Sequence, residues 1–385
     1  MSDLRIGVIG VGGRGALAKQ AHRPGEGSRL VAGADVNPKA LKAFGEFVGD
    51  DVKLFEDYRQ LLECKDIDAV FVTSPDFLHE EQAVASLDAG KHVYLEKPMA
   101  ITIEGCDRIL DAARRVNRKL YLGHNMRHFP VVLKMKELID GGVIGEMQAV
   151  WCRHFVSYGG DAYFKDWHSE RRYATGLLLQ KAAHDIDVIH WLAGGYTSRV
   201  SGMGKLSVYD RCQRRSSETS GCADWKTENW PPLSQINLSP EIDVEDHTMI
   251  MMQLDNGVQA SYMQCHYTAD SERNYTFIGT EGRIENYGDY GNCEVVVFNQ
   301  RGCTRHRPDM VVNLREKAGS HGGSDPDIVD TFIRYITEDA PINTSPIAAR
   351  NAVAAGVMAT ESLRSDSGLR EIPPLSQDLI DYFER

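Results

Sequence analysis

The stretch Arg5-Ile6-Gly7-Val8-Ile9 followed by Gly10-Val11-Gly12-Gly13-Arg14-Gly15 decides the fold. A short apolar run stops at glycines, and a helical stretch opens behind them. Residues Gly10 to Gly15 read G-x-G-x-x-G. The glycines permit a tight turn and a close approach of backbone to ligand. The free N–H groups at the helix start suit a pyrophosphate. Alone the pattern is weak, but its context strengthens it. Asp35 closes the next apolar run, Leu30 to Asp35. A carboxylate there hydrogen-bonds the adenosine ribose and repels a 2′-phosphate, so NAD is expected over NADP. Arg14 leaves several roles open: stacking on adenine, meeting phosphate, or helping to tolerate NADP.

Working outward, Ala69 to Thr73, His92 to Leu95 and Lys119 to Gly123 are further short apolar runs. Helical patterns over Pro38 to Val48, Glu80 to Ala89 and Asp107 to Asn117 separate them. Strands alternating with helices imply βαβ units and a parallel sheet. After about Gly123 the pattern changes. A helix over Val131 to Gly141 leads into strands Met147 to Phe155, Val200 to Val208, His247 to Leu254, Val258 to His266, Tyr275 to Gly279, Arg283 to Tyr287 and Glu294 to Asn299. Short turns join several of them, among them Asp255-Asn256-Gly257, a hairpin signal, and Thr280-Glu281-Gly282. Helices over Pro326 to Glu338 and Pro346 to Ser365 close the chain. The expected fold class is α/β. An N-terminal Rossmann dinucleotide-binding domain spans 1–122. A C-terminal α/β domain with a large, mostly antiparallel open sheet spans 123–385, and its last helices have room to pack back on the first domain.

Composition narrows the function. The chain has 385 residues, 42% of them hydrophobic and 25% charged, which is ordinary for a globular protein. Lys and Arg number 43 against 55 Asp and Glu, a net charge of −12, so nucleic acid is not an expected partner. No apolar run reaches the ~18 residues of a membrane span. Eight scattered cysteines without a CxxC pair suit reduced thiols and a cytoplasmic location. No signal peptide is read at the N-terminus. No metal site is expected, because no His/Cys/Asp cluster has ligand spacing. Tyr209 to Glu241 is a long polar insertion carrying Cys212, Cys222, Trp225 and Trp230. Its favoured reading is an arm packed on a neighbouring subunit or on its own sheet; a pocket lid and a zinc site are the weaker readings.

Two further segments make a family visible. Val72-Thr73-Ser74-Pro75 with His79, then Ala89-Gly90-Lys91-His92-Val93 and Glu96-Lys97-Pro98, resemble the Gfo/Idh/MocA oxidoreductases. Asn125-Met126-Arg127 with Pro130, Gly145-Glu146, and His184 with Asp187 before Trp191 continue the resemblance. It covers essentially the whole chain. It implies NAD bound by the first domain and a sugar or polyol held between the domains beside the nicotinamide. Carried over residue by residue, the cofactor set is Gly10, Gly12, Gly13, Arg14, Gly15, Asp35, Ser74, Pro75, His79, Glu96, Lys97, Asn125 and Trp167. Lys97, His184 and Lys181 are the catalytic candidates, and Arg127 and His168 join them in binding substrate. A lysine buried beside an oxidised nicotinamide is pushed toward its neutral form, ready to accept or relay a proton.

The chain departs from the family at one point. Simple family dehydrogenases often carry Asp four residues before the site histidine, where this sequence has Gln180, followed by Lys181. Glutamine cannot take a proton. Lys181 then either binds a substrate oxygen or forms a structural ion pair with Asp185. Helical spacing places 180, 181, 184 and 188 on one face. His154, His266, Tyr267 and the loop His321 to Asp325 are further pocket candidates. The expected function is an NAD-dependent oxidoreductase acting on a secondary hydroxyl or ketone of a sugar, glycoside or polyol. The alternatives are a redox-neutral NAD-cycling glycosidase, lyase or epimerase, and a non-catalytic NAD-binding sensor. Alternating apolar residues over Met249 to Leu254 and Val258 to Met263 predict a homodimer or homotetramer built on the open sheet.

Overall fold

Six parallel strands open the structure, a computed structural model that describes residues 3–216, 229–289, 291–304, 306–315 and 320–384. They are β1 (Leu4–Ile9), β2 (Ser28–Ala34), β3 (Lys53–Phe55), β4 (Ala69–Val72), β5 (His92–Leu95) and β6 (Leu120–Leu122), in the spatial order β3-β2-β1-β4-β5-β6. The chain direction across the sheet reverses between β1 and β4. In such sheets, ligands bind at the carboxyl ends of the strands beside that reversal. The fingerprint turn leaves β1 there and Thr73-Ser74 leaves β4. The very short β3 carried too few apolar residues to be read as a strand.

The chain divides into two compact units. The first comprises Met1–His128, Ala318–Arg350 and Pro374–Arg385. Its core joins the sheet to the helix Ser324–Glu338: Phe71 stacks on Tyr94 at 4.5 Å, and Phe332 meets Phe71 edge-on at 5.2 Å. The second unit comprises Phe129–Lys317 and Asn351–Pro373.

The second unit is a nine-stranded sheet. Its strands are β7 (Met147–Phe155), β8 (Thr197–Lys205), β9 (His247–Leu254), β10 (Gln259–Cys265), β11 (Glu272–Gly279), β12 (Arg283–Tyr287), β13 (Cys293–Phe298), β14 (Met310–Leu314) and β15 (Arg370–Glu371), ordered β14-β13-β12-β11-β7-β10-β9-β8-β15. Every neighbouring pair is antiparallel except β7 and β10, which run parallel at the centre. Strands β14 and β15 are edge pieces that local pattern did not announce. Alternation assigns the two faces. Inward, successive cross-strand rows run Phe277–Val150–Ala260–Met252, Tyr275–Cys152–Tyr262–Ile250 and Arg273–His154–Gln264–Thr248. That face turns from apolar to polar toward the end of β10. Outward, Trp151, Met203, Met249, Met251 and Ile278 are exposed.

The insertion splits into what is described and what is not. Cys222 and Trp225 lie outside the described residues. Its two ends pack on their own unit. The Tyr209 ring meets Phe164 at 4.4 Å, its hydroxyl donates to the His266 carbonyl at 2.6 Å, and the Ser239 N–H donates to the Phe164 carbonyl at 2.8 Å. Leu238 and Ile242 complete that small core.

Candidate functional site

In the first unit the site is made chiefly of backbone. Gly10 has φ +85°, and a Cβ there would lie 2.8 Å from the Ser74 nitrogen. A Cβ on Gly15 would stand 2.1 Å from the Gly10 carbonyl oxygen, so no other residue fits. Gly13 has φ +47° and open space in front of it. The expected helix behind the turn is a 3-10 helix over Gly13–Ala21. The Thr73 hydroxyl donates to the Gly10 carbonyl at 2.8 Å and ties β4 to the turn. Asp35, just past β2, accepts from the Gly12 N–H at 3.1 Å and from the Asn37 N–H at 2.8 Å. Its carboxylate is thus held against the turn, where a ribose diol would meet it. Asn125, past β6, is buried, and its side-chain oxygen has no hydrogen-bond partner among the described residues. A bare turn, a fixed carboxylate and a waiting amide fit a dinucleotide.

Several predicted contacts take other partners. Arg14 Nε lies 2.8 Å from Glu96 Oε1 and its Nη1 lies 2.9 Å from Asp325 Oδ2. Those two carboxylates, outweighing its burial, hold the guanidinium firmly charged. Glu96 follows β5 while Asp35 follows β2, with β1 and β4 between. Arg14 is therefore drawn away from Asp35, toward Glu96 and Asp325. Glu96 also accepts from the Tyr94 hydroxyl and from the Lys97 N–H, both at 3.2 Å. The half-buried Lys97 thus leaves a braced segment. His79 spends both ring nitrogens on backbone carbonyls, that of Pro98 at 2.7 Å and that of Ser74 at 2.9 Å. It props the Ser74-Pro75 turn and the Lys97-Pro98 segment. The Ser74 hydroxyl donates to Gln82 at 2.5 Å. The buried Arg127 donates to the Asn343 carbonyl.

In the second unit the site is made of side chains. The helical stretch over 180–188 is broken. Gln180 ends the short helix Leu177–Gln180, Lys181 is the joint, and His184 lies in the first turn of Ala182–Ala193. The single-face argument for 180 and 184 therefore fails, because it assumed one unbroken helix. Lys181 and His184 are each partly exposed. Burial of the ammonium, reinforced by the charge of Arg273, lowers the Lys181 pKa. Its Nζ sits 5.5 Å from the Tyr163 ring centre. Trp167 stacks on His168 at 3.7 Å, and His168 is held by Asp166.

Asp185 is not a surface partner for Lys181. It is fully buried on the inner face of the sheet. Arg273 Nε lies 2.8 Å from its Oδ1, His154 Nδ1 lies 3.0 Å from its Oδ2, the Tyr262 hydroxyl donates to it at 2.9 Å, and Tyr275 donates to it as well. Burial works to raise its pKa, but Arg273 and His154 outweigh that and hold it below the usual carboxylate range. Arg273 also pairs with Asp289 at 2.7 Å. With Asp185 neutralised by Arg273, burial and that same guanidinium bring His154 down to about 3, so the imidazole is neutral. Sequence reading missed Arg273, Tyr262 and Tyr275. Their only signal is that each falls on the inward phase of a strand yet carries a polar atom. Among the described residues no group of three or more His, Cys, Asp or Glu is placed to hold a metal, and no helix is long and apolar enough to cross a membrane.

Two family descriptions match this chain: the oxidoreductase family NAD-binding Rossmann fold over residues 4–124, and the oxidoreductase family C-terminal alpha/beta domain over residues 136–370, both of the Gfo/Idh/MocA group. An inositol 2-dehydrogenase of Klebsiella pneumoniae is 34% identical over 192 residues, covering 49% of this chain and 54% of the relative. An inositol 2-dehydrogenase/D-chiro-inositol 3-dehydrogenase of Halalkalibacterium halodurans is 34% identical over 191 residues, covering 49% of this chain and 52% of the relative. The chain spans about half the length of these curated relatives. A levoglucosan dehydrogenase solved with NADH and L-sorbose superposes with a TM-score of 0.78 at 21% identity, covering 97% of this chain and 100% of the other. The apo scyllo-inositol dehydrogenase of Lactobacillus casei gives 0.71 at 21% identity, covering 96% and 98%. At that identity the likeness is one of fold.

Proposed function

The chain belongs to the Gfo/Idh/MocA oxidoreductase family, and from that premise we propose that it is an NAD-dependent oxidoreductase of a sugar, glycoside or polyol. In this reading residues 1–122, with the segments Ala318–Arg350 and Pro374–Arg385 of the same unit, bind the cofactor, and the rest of 123–385 binds substrate and builds the oligomer. The observation that carries it is the fit of the first unit to a dinucleotide: the glycine cradle, Asp35 braced against it, and the Glu96-Lys97-Pro98 segment at the neighbouring strand end. The names of the inositol dehydrogenase relatives support the substrate class.

NAD, when bound, supplies the acceptor for the substrate's hydride. The protein then has to orient a secondary hydroxyl and take its proton. Lys97, and His184 at the start of its helix, are the proton-handling residues. Lys181, whose pKa is lowered by burial, binds or polarises the substrate oxygen. Lys97→Ala and His184→Ala are expected to leave NAD affinity intact and lower turnover by roughly 10²–10⁴-fold. Nicotinamide absorbance followed over a panel of sugars and polyols checks this. A variant that keeps wild-type turnover removes its residue from the mechanism.

Gln180 and Lys181 in place of the common Asp favour a second reading, a redox-neutral cycle through a transient keto-sugar. Product without free NADH, and deuterium from solvent on the carbon beside the transient ketone, would select it. NADH build-up without exchange would exclude it. We further propose a homodimer or homotetramer formed over the outward sheet face, where Trp151, Met249 and Met251 are exposed. Light scattering showing a monomer at micromolar concentration would defeat that. The seven described cysteines are all unpaired, which supports a cytoplasmic location.

A further inference from the structure

The polar end of the inward sheet face carries more unmet hydrogen-bonding capacity than a core should hold. Gln264 and Thr248 face each other across β10 and β9. Gln264 Nε2 and Thr248 Oγ1 have no hydrogen-bond partner among the described residues, and neither does either ring nitrogen of His266, two residues past Gln264. All three side chains are shut away, at 0%, 1% and 0% exposure for Gln264, Thr248 and His266. A buried polar atom without a partner has lost its water and gained nothing, so folded proteins keep few of them and each needs an explanation. Four such atoms on three adjoining residues call for oxygen atoms that the chain itself does not provide.

The chemistry of those oxygens can be read from the atoms left over. Burial lowers the pKa of His266, so its neutral ring offers one donor and one acceptor. Gln264 Nε2 is a donor, and the Thr248 hydroxyl donates and accepts. Arg273, the cation in the same cross-strand row, is already committed to Asp185 and Asp289. This mixture suits hydroxyl groups and does not suit a phosphate or a carboxylate. The place is also right. The Tyr163 ring meets the His266 ring edge-on at 5.2 Å, and the Lys181 ammonium lies 5.5 Å from that same tyrosine ring. Tyr209 anchors the His266 backbone from the insertion.

We propose that Thr248, Gln264 and His266 form a hydroxyl-recognition row for the polyhydroxylated substrate, with Tyr163 as the apolar surface between the row and Lys181. The proposal rests on the sugar or polyol reading above. Ordered water offers the same chemistry, and the test separates the two. Full-length protein saturated with NADH is titrated calorimetrically with myo-inositol, D-glucose and levoglucosan in turn, using wild type, Thr248→Val and His266→Phe. Both variants keep the side chain's shape and remove unpartnered atoms. They are expected to melt at or above the wild-type temperature, to bind NADH as wild type does, and to lose about tenfold or more in affinity for whichever probe wild type binds. Wild-type probe affinity in both variants would mean that the row holds only water, and would overturn the proposal. If wild type binds NADH but none of the probes, the sugar or polyol reading fails, and the row falls with it.

Discussion

The dinucleotide turn of the first unit and the buried polar centre of the second do comparable work by opposite means. The turn is built from absences. Gly10 and Gly15 matter because a Cβ would collide with Ser74 and with the Gly10 carbonyl, and the groups offered to a ligand are mostly backbone N–H. The polar centre is built from side chains of four separate elements meeting at Asp185, which brings together Arg273, His154, Tyr262 and Tyr275. A backbone site tolerates no added atoms but is insensitive to charge. A side-chain site tolerates shape changes but depends on every charge being answered. Perturbations should therefore hit the two regions differently.

The largest effect is expected at Asp185. Asp185→Asn removes the carboxylate that answers Arg273 deep in the sheet, and breaking one side of a buried pair costs about 3 kcal/mol or more. Asp289 remains as a second partner, which keeps the loss at the low end of that range. Urea denaturation should show the loss while NAD titration shows none; unchanged stability would mean that Asp185 is not the keystone. Next comes Gly15→Ala, which places a methyl 2.1 Å from the Gly10 oxygen. NAD affinity should fall by about a hundredfold, with the near-ultraviolet signal of the second unit's tyrosines unaltered. Near-wild-type NAD binding would show that the turn can relax.

Acid should find the second region before pH 4. His154 is neutral when folded, with its pKa depressed to about 3, while an unfolded histidine titrates near ~6.5. Between those values the unfolded chain binds the extra proton, so stability is present above ~6.5 and is lost as pH falls toward the folded value, by up to about 1.4 kcal/mol per pH unit. Asp185, depressed below the ordinary carboxylate range, adds its own loss only below ~3.8. Comparing urea midpoints at pH 7.5 and 4.5 checks this, and a flat profile would mean that His154 carries a proton in the folded protein. The smallest effect belongs to Asp35. Asp35→Ser should leave the glycine cradle in place and narrow the preference for NAD over NADP by about tenfold. Dissociation constants showing that wild type already prefers NADP would remove the claim.

Legibility followed the same divide. Glycines ending one apolar run, an aspartate ending the next, and Lys97 between Glu96 and Pro98 are all local patterns, and the structure places them together at one edge of the parallel sheet. The strands of the second unit were legible from alternation, down to the Asp255-Asn256-Gly257 turn between β9 and β10. What escaped were pairings. Arg14 sits inside the fingerprint, but nothing local reveals that Asp325, more than three hundred residues on, will take its guanidinium. The break at Lys181 was hidden because 180–188 reads as one helical stretch. Asp185 looked like an i,i+4 partner for Lys181, and only the sheet it packs against shows it turned inward.

Residue order therefore settles this protein wherever a few neighbouring residues exhaust the possibilities. A glycine with no room for a Cβ, an N-G turn and a two-residue alternation are each steric facts about adjacent backbone. Charge pairing is a different kind of fact. A guanidinium or carboxylate taken out of water accepts any opposite charge that folding brings within about 3 Å, and adjacency along the chain is a poor guide to which one that is. Register across β11, β7, β10 and β9 decided that Arg273, His154, Gln264 and Thr248 share one row, and the packing of the helix Ala182–Ala193 beneath it made Asp185 the answer to Arg273.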